Sequence, residues 1–316
     1  MDIPGRNWTD KELAKIEQRL RKIYTQQNAE LTAKAKEYFD QFKAEDVIKR
    51  KAVDVGTLDM EDYLRWRRTQ ILTGAHWTRM KEQAALDLYN VNKTALDYVN
   101  GRLPDIYAVN YNFQAKDIEN GISRRVSFEL VDAQTVRNLS FEDKSLLPYK
   151  KLDPKKDIPW NMKKINSECL QGILQGESMD KIATRLRLVG VQNQVSAIRA
   201  ARTIVNGAEN KGRFDCAKRA QDMGVIVGKR WISVSDGRTR PWHVQASDDY
   251  GAKEDAIPID EPFIVHDEAM MYPGEVGASP ANVYNCRCGY TTVVMGFEST
   301  LPEGMIEVEF LDDEYE

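Results

Sequence analysis

The sequence contains few residues of the kinds that bind soft metals or form disulfides, with four cysteines and three histidines in 316 residues. A chain of this length buries enough apolar surface for about two domains without covalent staples. The first residues lack the basic region and the apolar run of a secretory signal. We therefore expect a protein of a reducing cytoplasm, whose cysteines are free thiols or ligands.

Long apolar runs and an excess of positive charge are also missing. No stretch approaches the roughly 18 apolar residues that cross a bilayer, and the mean hydropathy is −0.55, so we expect no membrane partner. The formal net charge is −4. This charge argues against a protein that coats DNA, because such a protein displaces counterions with many lysines and arginines.

The sequence motifs of common enzymes are absent as well. The chain has no Gly-x-Ser-x-Gly elbow, no phosphate-binding glycine loop after a strand and no His-Glu-x-x-His helix. It also has no internal repeat and no low-complexity tract. We expect no cofactor.

A long amphipathic helix is predicted near the start of the chain. Apolar residues recur at three- and four-residue steps from Asp10 to about Phe42, which is the period of one helix face. Thr9 and Glu12 have the spacing of a capping box, in which each side chain binds the backbone N–H of the other residue.

Two more helices are predicted over residues 60–73 and 77–100. The latter should end ahead of Pro104, because a proline inside a helix removes a hydrogen bond. In the former, Trp66 stands among arginines, and we expect the indole in the core and the guanidinium groups in solvent. The three helices are expected to form a bundle that docks on a larger assembly.

The second half of the chain changes from helical to strand periodicity. A polar link that contains prolines and lysines ends at residue 157 and predicts a domain boundary. The predicted class is α+β and predominantly helical, with a long N-terminal helical bundle followed by a small domain of helices packed on a short β-sheet. The predicted domains are 1–157 and 158–296, followed by an acidic tail at 297–316. Helices are predicted over 160–175, from 178 onward and over 192–223, and strands over 225–234, 262–265 and 290–295. A further short strand is predicted ahead of this half, over 126–130.

Three potential metal ligands lie in loops around the predicted sheet. His243 follows the first strand, and Cys286 and Cys288 precede the last one in a spacing that places both sulfurs on one side of an extended chain. A structural zinc site uses four ligands, usually from two cysteine hooks, whereas one hook and one histidine occur here. We therefore expect no metal and favour paired thiols that pin a loop, with zinc at these three residues as the alternative.

The same loops allow a catalytic interpretation. A thiolate of the Cys-x-Cys pair could be activated by His243, with Asp236 orienting the ring and Arg238 nearby. The chain would then be an enzyme, either a hydrolase or a toxin-like transferase. In the alternative interpretation the segment closes the small domain structurally. Arg287 then points away from the two thiols, toward solvent or an acidic partner such as Asp236.

Eleven residues of this region stand in a distinctive order, and we call them the motif residues. They are Trp231, Asp236, Arg238, Arg240, His243, Pro273, Gly274, Asn285, Cys286, Arg287 and Cys288. Their order resembles the C-terminal domain of phage Mu F-type minor head proteins, the head morphogenesis proteins of tailed phages. The resemblance covers roughly residues 160–295.

The resemblance implies a structural protein without catalytic residues. Proteins of this family are carried in small copy number inside the procapsid, associate with the portal, and aid head assembly and genome ejection. The implied partners are the portal protein, major capsid or scaffold proteins, and packaged DNA. The implied location is the capsid interior of the virion, after assembly in the host cytoplasm.

A locally basic region suits weak, non-specific contact with that DNA. Residues 178–223 contain nine Lys/Arg and four Asp/Glu. Binding through such residues depends on salt, because it releases counterions from the phosphates. The candidate contacts are Arg199, Arg202, Lys211, Arg213, Lys218 and Arg219.

Overall fold

The computed structural model describes residues 3–122 and 128–297, so the predicted acidic tail lies outside the described residues except for Phe297. The helices in this part of the chain are α1 (Arg6–Asp54), α2 (Met60–Leu72), α3 (Ala75–Asn120), α4 (Ala133–Glu142), α5 (Pro154–Leu174), α6 (Met179–Asp222), α7 (Pro241–Tyr250) and α8 (Pro280–Val283). The strands are β1 (Val225–Ile232), β2 (Ile257–Pro258), β3 (Phe263–Val265), β4 (Glu268–Met270) and β5 (Gly289–Phe297). The predicted class, a predominantly helical α+β protein, is confirmed. Within the described ranges, no helix combines the length and the apolar content that crossing a bilayer requires.

The chain divides into two compact units, each built from separated stretches. The sheet unit comprises Met1–Lys15, Val99–Tyr149 and Arg199–Glu316, and the helical unit comprises Ile16–Tyr98 and Lys150–Ile198. Helices α1, α3 and α6 contribute residues to both units. The boundary after residue 157 stays a prediction, because this division follows contacts rather than chain order.

The start of α1 differs from the predicted one. The helix begins at Arg6, four residues before the expected start, and Thr9 already lies inside it. The Thr9 hydroxyl donates to the Gly5 carbonyl, and the Glu12 carboxylate binds Arg102. The predicted capping box is therefore wrong, because both of its side chains have partners other than each other's backbone.

Helix α3 continues through Pro104 instead of ending before it. A proline inside a helix costs about 3 kcal/mol. The residues around it offset this cost, because each fully buried apolar side chain contributes about 1.5–3 kcal/mol. Those buried neighbours are Leu103, Ile106, Tyr107 and Ala108.

Helix α6 is a single helix where two were predicted. Gly190, near the expected break, lies inside it, and a Cβ at this position would stand 1.7 Å from the Asn28 Oδ1 of α1. The glycine therefore marks a close contact within the helical unit and not a helix end.

The prediction for α2 is right for Arg65 and Arg68, which are exposed, and wrong for Arg67. Arg67 is fully buried, whereas Trp66 is only partly buried. The Arg67 Nε lies 2.8 Å from the Asp46 carboxylate, which also accepts a 2.9 Å hydrogen bond from the Tyr63 hydroxyl. A guanidinium needs such a partner in a core. The periodicity of α2 could not reveal it, because Asp46 lies on another helix. The apolar core of the helical unit includes Leu31, Phe39, Ile71, Trp77, Leu88, Ile165, Ile182 and Leu186.

The sheet unit contains three of the four predicted strands. In the fourth, over 126–130, residues 126 and 127 lie outside the described residues, and residues 128–130 do not form a strand. β1 pairs antiparallel with both β2 and β5, in the order β2-β1-β5, and β3 forms a separate antiparallel pair with β4. Strand β1 ends at Ile232, two residues before the predicted end, and the backbone turns at Ser235 with a φ of 51°. One apolar cluster of this unit includes Trp231, Phe263, Met270, Tyr272, Val283, Cys286, Cys288 and Tyr290.

Candidate functional site

The end of β1, the start of α7 and the segment before β5 bring the motif residues together. Trp231 lies on β1, His243 lies in the first turn of α7, and Cys286 and Cys288 directly precede β5. Asn285 turns the chain into this segment with a φ of 54°, in a left-handed conformation that asparagine tolerates better than most residues. The strands thus fix where both cysteines stand.

The imidazole and the two thiols form one buried cluster. The His243 Nδ1 lies 3.3 Å from the Cys288 Sγ and 3.6 Å from the Cys286 Sγ. The three potential ligand atoms all lie within 4.8 Å of one another. The Cys288 N–H donates to the Cys286 Sγ at 3.3 Å, and the edge of Trp231 packs against the imidazole. We call His243, Cys286 and Cys288 the His-Cys-Cys cluster.

Asn282 holds the imidazole on its other side. Its Oδ1 lies 3.4 Å from the His243 Nε2 and accepts a 2.8 Å hydrogen bond from the Trp242 indole. Its amide nitrogen donates to the Val265 carbonyl at 3.1 Å and to the Glu268 carboxylate at 2.6 Å. Sequence reasoning missed Asn282 and Glu268, because no spacing pattern connects either residue with His243.

The two thiols differ in acidity although they are neighbours. A hydrogen bond from the Cys288 thiol, with a smaller effect of the neighbouring His243, holds the pKa of Cys286 well below its usual value. The same contact with Cys286, together with burial, raises the pKa of Cys288.

Asp236 binds Arg287 and not the imidazole. Its carboxylate oxygens accept hydrogen bonds of 2.7 and 2.6 Å from the Arg287 guanidinium, and a 3.2 Å contact joins it to Arg238. The pKa of Asp236 lies well below its usual range because Arg287 binds the ionised form. The predicted direction of Arg287, away from the thiols and toward Asp236, is observed. The predicted orienting role of Asp236 beside His243 is wrong, because Asn282 occupies that position.

Helix α6 positions two further motif residues, Pro273 and Gly274, through an asparagine and a glycine on its surface. The Asn210 amide donates to the carbonyls of Pro273 and Cys288, at 2.8 and 3.3 Å. Gly274, with a φ of 79°, packs against Gly207, where a Cβ would stand 2.8 Å from the Gly274 oxygen.

Asn285 and Arg240 are the last two motif residues, and each makes a hydrogen bond within the sheet unit. The Asn285 N–H donates to the Thr203 hydroxyl of α6 at 2.8 Å. Arg240 donates to the Tyr284 carbonyl. The motif residues thus fix the loops of the sheet unit to α6 and to one another.

The first residues of the chain complete this arrangement. Arg6 lies 3.0 Å from the Glu209 carboxylate and donates to the Arg287 carbonyl at 3.0 Å. Arg213 donates to Glu209 at 2.8 Å and to the Pro4 carbonyl at 2.9 Å. Sequence reasoning missed this network, since Arg6 stands 203 residues from Glu209 and 281 residues from Arg287.

The predicted DNA contacts have different environments. Arg213 is fully buried in the network with Glu209. Its assignment as a DNA contact is therefore wrong for this structure, because phosphate cannot reach its guanidinium. Lys211 binds Asp215 and Lys218 binds Asp260, Arg202 is partly buried, and Arg199 and Arg219 are exposed. For these five residues DNA contact stays a prediction.

A cleft of about 490 Å³ lies next to the cluster. Cys286 lines it, and so do four arginines and two acids from α1, α6 and the loops. The arginines are Arg6, Arg202, Arg238 and Arg287, and the acids are Asp10 and Glu209.

Lys229 is an unexpected buried cation on β1. Its Nζ donates to the Met271 carbonyl at 2.8 Å and lies 4.9 Å from the centre of the Phe263 ring. Burial lowers the pKa of Lys229 from 10.5 to about 7, although the acids Glu275, Asp260 and Glu261 act in the opposite direction.

Replacing Lys229 with methionine is expected to weaken the pH dependence of stability. Between pH 7 and the ordinary lysine pKa, the unfolded chain holds a proton that the folded chain has released, so the free energy of unfolding rises with pH. The slope from one group is at most about 1.4 kcal/mol per pH unit. Urea unfolding of both proteins at pH 7, 8 and 9 should show the steeper rise in the wild type. Lys253→Met, at an exposed position, is the matched control, and equal slopes in wild type and K229M would contradict the prediction.

Comparison with known proteins supports the resemblance that the motif residues carry. The profile of a family described as Phage Mu protein F like protein matches residues 163–291. No curated protein and no solved structure matches the chain at a significant level. The matched segment contains α6, β1 to β4, the start of β5 and the His-Cys-Cys cluster, so this part of the chain is similar to the phage Mu F-like family.

Proposed function

We propose that this protein is a minor head protein of a tailed phage that acts in head morphogenesis. The family match over residues 163–291 carries the proposal. In this role the chain associates with the portal protein inside the procapsid, meets major capsid or scaffold proteins, and contacts packaged DNA weakly. It aids head assembly and genome ejection, and it resides in the capsid interior of the virion.

The arrangement of the motif residues supports a structural role. The polar groups that a reaction would need already have partners inside the protein. Asp236 binds Arg287, and Arg240 donates to a backbone carbonyl. His243 contacts Asn282 and the thiols. The members of the His-Cys-Cys cluster are each at most 3% exposed. A substrate would have to displace this packing to reach the imidazole.

The exposed arginines support weak DNA contact within an acidic protein. Arg199 and Arg219 lie on α6 with accessible guanidinium groups. The formal net charge of −4 opposes tight, non-specific coating of DNA. Local basic residues on an acidic chain favour contacts that weaken steeply as salt rises.

The proposal predicts incorporation of the chain into procapsids that contain the portal. The coat, scaffold and portal proteins of the encoding phage are co-expressed with the chain, and particles are purified with and without the portal. We expect a small number of copies per particle, reduced at least tenfold when the portal is omitted. Quantitative mass spectrometry of purified particles measures both. Absence of the chain from procapsids and virions alike would contradict the proposal.

The same particles test the alternative of an enzyme built on Arg238, His243, Cys286 and Cys288. The closeness of the imidazole to both thiols and the lowered pKa of Cys286 favour this alternative. His243→Ala and Cys288→Ala are expected to impair folding and incorporation if the cluster is structural. Normal incorporation with an intact fold, combined with failure of a later processing or ejection step, would support the enzyme instead.

A further inference from the structure

We propose that His243, Cys286 and Cys288 bind one zinc ion, which locks the segment before β5 onto α7. The sequence offers three potential ligands where a structural zinc site uses four, and this count argues against a metal. The distances among the three side chains argue for it. The proposal is independent of the role in head assembly.

The separations among the ligand atoms suit a tetrahedral ion. With Zn–S bonds of about 2.3 Å and Zn–N bonds of about 2.0–2.1 Å, ligands on one ion stand about 3.6 Å (N to S) and about 3.8 Å (S to S) apart. The His243 Nδ1 lies 3.3 and 3.6 Å from the two sulfurs, and all three atoms lie within 4.8 Å of one another. Small side-chain shifts are enough to place one ion between them.

The neighbours of the imidazole determine which ring nitrogen carries the proton. The Trp242 indole can only donate, and the Val265 carbonyl can only accept, so the Asn282 amide must present its oxygen to the ring. The His243 Nε2 therefore donates to that oxygen. A neutral ring then presents the Nδ1 lone pair to both sulfurs, as a metal-binding histidine does while its other nitrogen is held by a hydrogen bond.

Two sulfurs converge on the one Nδ1 lone pair at similar distances, although that lone pair can accept a proton from only one thiol. An ion placed between the three atoms binds the lone pair and both thiolates at once. Two thiolates and a neutral imidazole also cancel the charge of a divalent ion, which suits a site that is almost completely buried.

The ligand set selects the metal and leaves one position for solvent. Thiolate and imidazole ligands favour zinc over magnesium or calcium, which prefer oxygen. Within the described part of the chain the cluster offers three ligands, the number found in sites that keep a water as the fourth. Cys286 also lines the cleft of about 490 Å³, which provides a path for that water and for the ion.

Metal analysis of the full chain tests the proposal. The reduced protein is treated with a chelator, incubated with zinc, dialysed and analysed by elemental mass spectrometry. We expect about one zinc per chain, and a melting temperature that falls when the chelator is present. Cobalt in place of zinc should give the near-ultraviolet absorption of thiolate-to-cobalt charge transfer.

Variants assign the site to these residues. His243→Gln and Cys288→Ser are expected to lower bound zinc at least tenfold. Cys216→Ala removes a buried thiol elsewhere in the sheet unit and should retain full binding. The cobalt spectrum of the wild type does not depend on how the variants fold. Wild-type protein that binds no zinc and shows no charge-transfer band would overturn the proposal, as would zinc binding that survives in Cys288→Ser.

Discussion

Arg213→Met is expected to lower the free energy of unfolding by about 3–5 kcal/mol, the usual cost of removing one partner from a buried ion pair. Arg213 and Glu209 are both fully buried, and their side chains meet at 2.8 Å. Methionine fills a similar volume but donates no hydrogen bond. It therefore leaves Glu209 with Arg6 alone and removes the donor to the Pro4 carbonyl. Urea unfolding followed by circular dichroism measures the change.

Arg219→Met on the same helix is the matched control. This side chain is exposed, and surface changes of this kind alter stability by only about 0.5 kcal/mol. Equal small effects for both variants would contradict the buried network, and with it the exclusion of Arg213 from DNA contact. A large loss of stability in Arg213→Met alone would support both the buried network and the exclusion of Arg213 from DNA contact.

Gly212→Ala is expected to destabilise the sheet unit by about 2–3 kcal/mol, because overpacking forces backbone shifts. A Cβ at Gly212 of α6 would stand 2.4 Å from the Tyr107 carbonyl oxygen of α3, and that backbone oxygen cannot rotate away. The two helices would have to separate. Thermal unfolding of the variant and the wild type measures the loss.

Gly101→Ala gives the opposite result in the neighbouring helix. A Cβ at Gly101 of α3 would meet nothing within 4 Å. Alanine there should raise the free energy of unfolding by about 0.5–1 kcal/mol, because glycine inside a helix loses more conformational entropy on folding. A Gly212→Ala variant as stable as Gly101→Ala would show that α3 and α6 are not in close contact.

The sequence predicted the strands better than the helix ends. Strands β1, β3 and β5 are rich in β-branched and aromatic residues and have turn residues nearby, so their positions depend on the local sequence. The errors at Pro104 and near Gly190 have a different origin. In both cases distant packing outweighs a local helix-breaking residue, and a single sequence does not show which side chains pack there.

The sequence predicted the motif residues of the candidate site but not the residues that hold them in position. The Cys-x-Cys spacing predicted two sulfurs on one side and Arg287 on the other, since successive side chains of an extended segment alternate. The buried positions of Asn282 and Lys229 could not be predicted, because neither residue type indicates in the sequence that its side chain is buried. Asp236 was misassigned beside His243 because a loop with several polar residues leaves its internal pairing open.

The hydrogen bond from Arg6 to the Arg287 carbonyl joins residues 281 positions apart. Contacts of such long sequence separation slow folding, because the chain loses much entropy before they form. During translation, Arg6 leaves the ribosome long before its acceptor has been synthesised. The Arg6 guanidinium of the nascent polypeptide therefore lacks that acceptor until residue 287 has been synthesised.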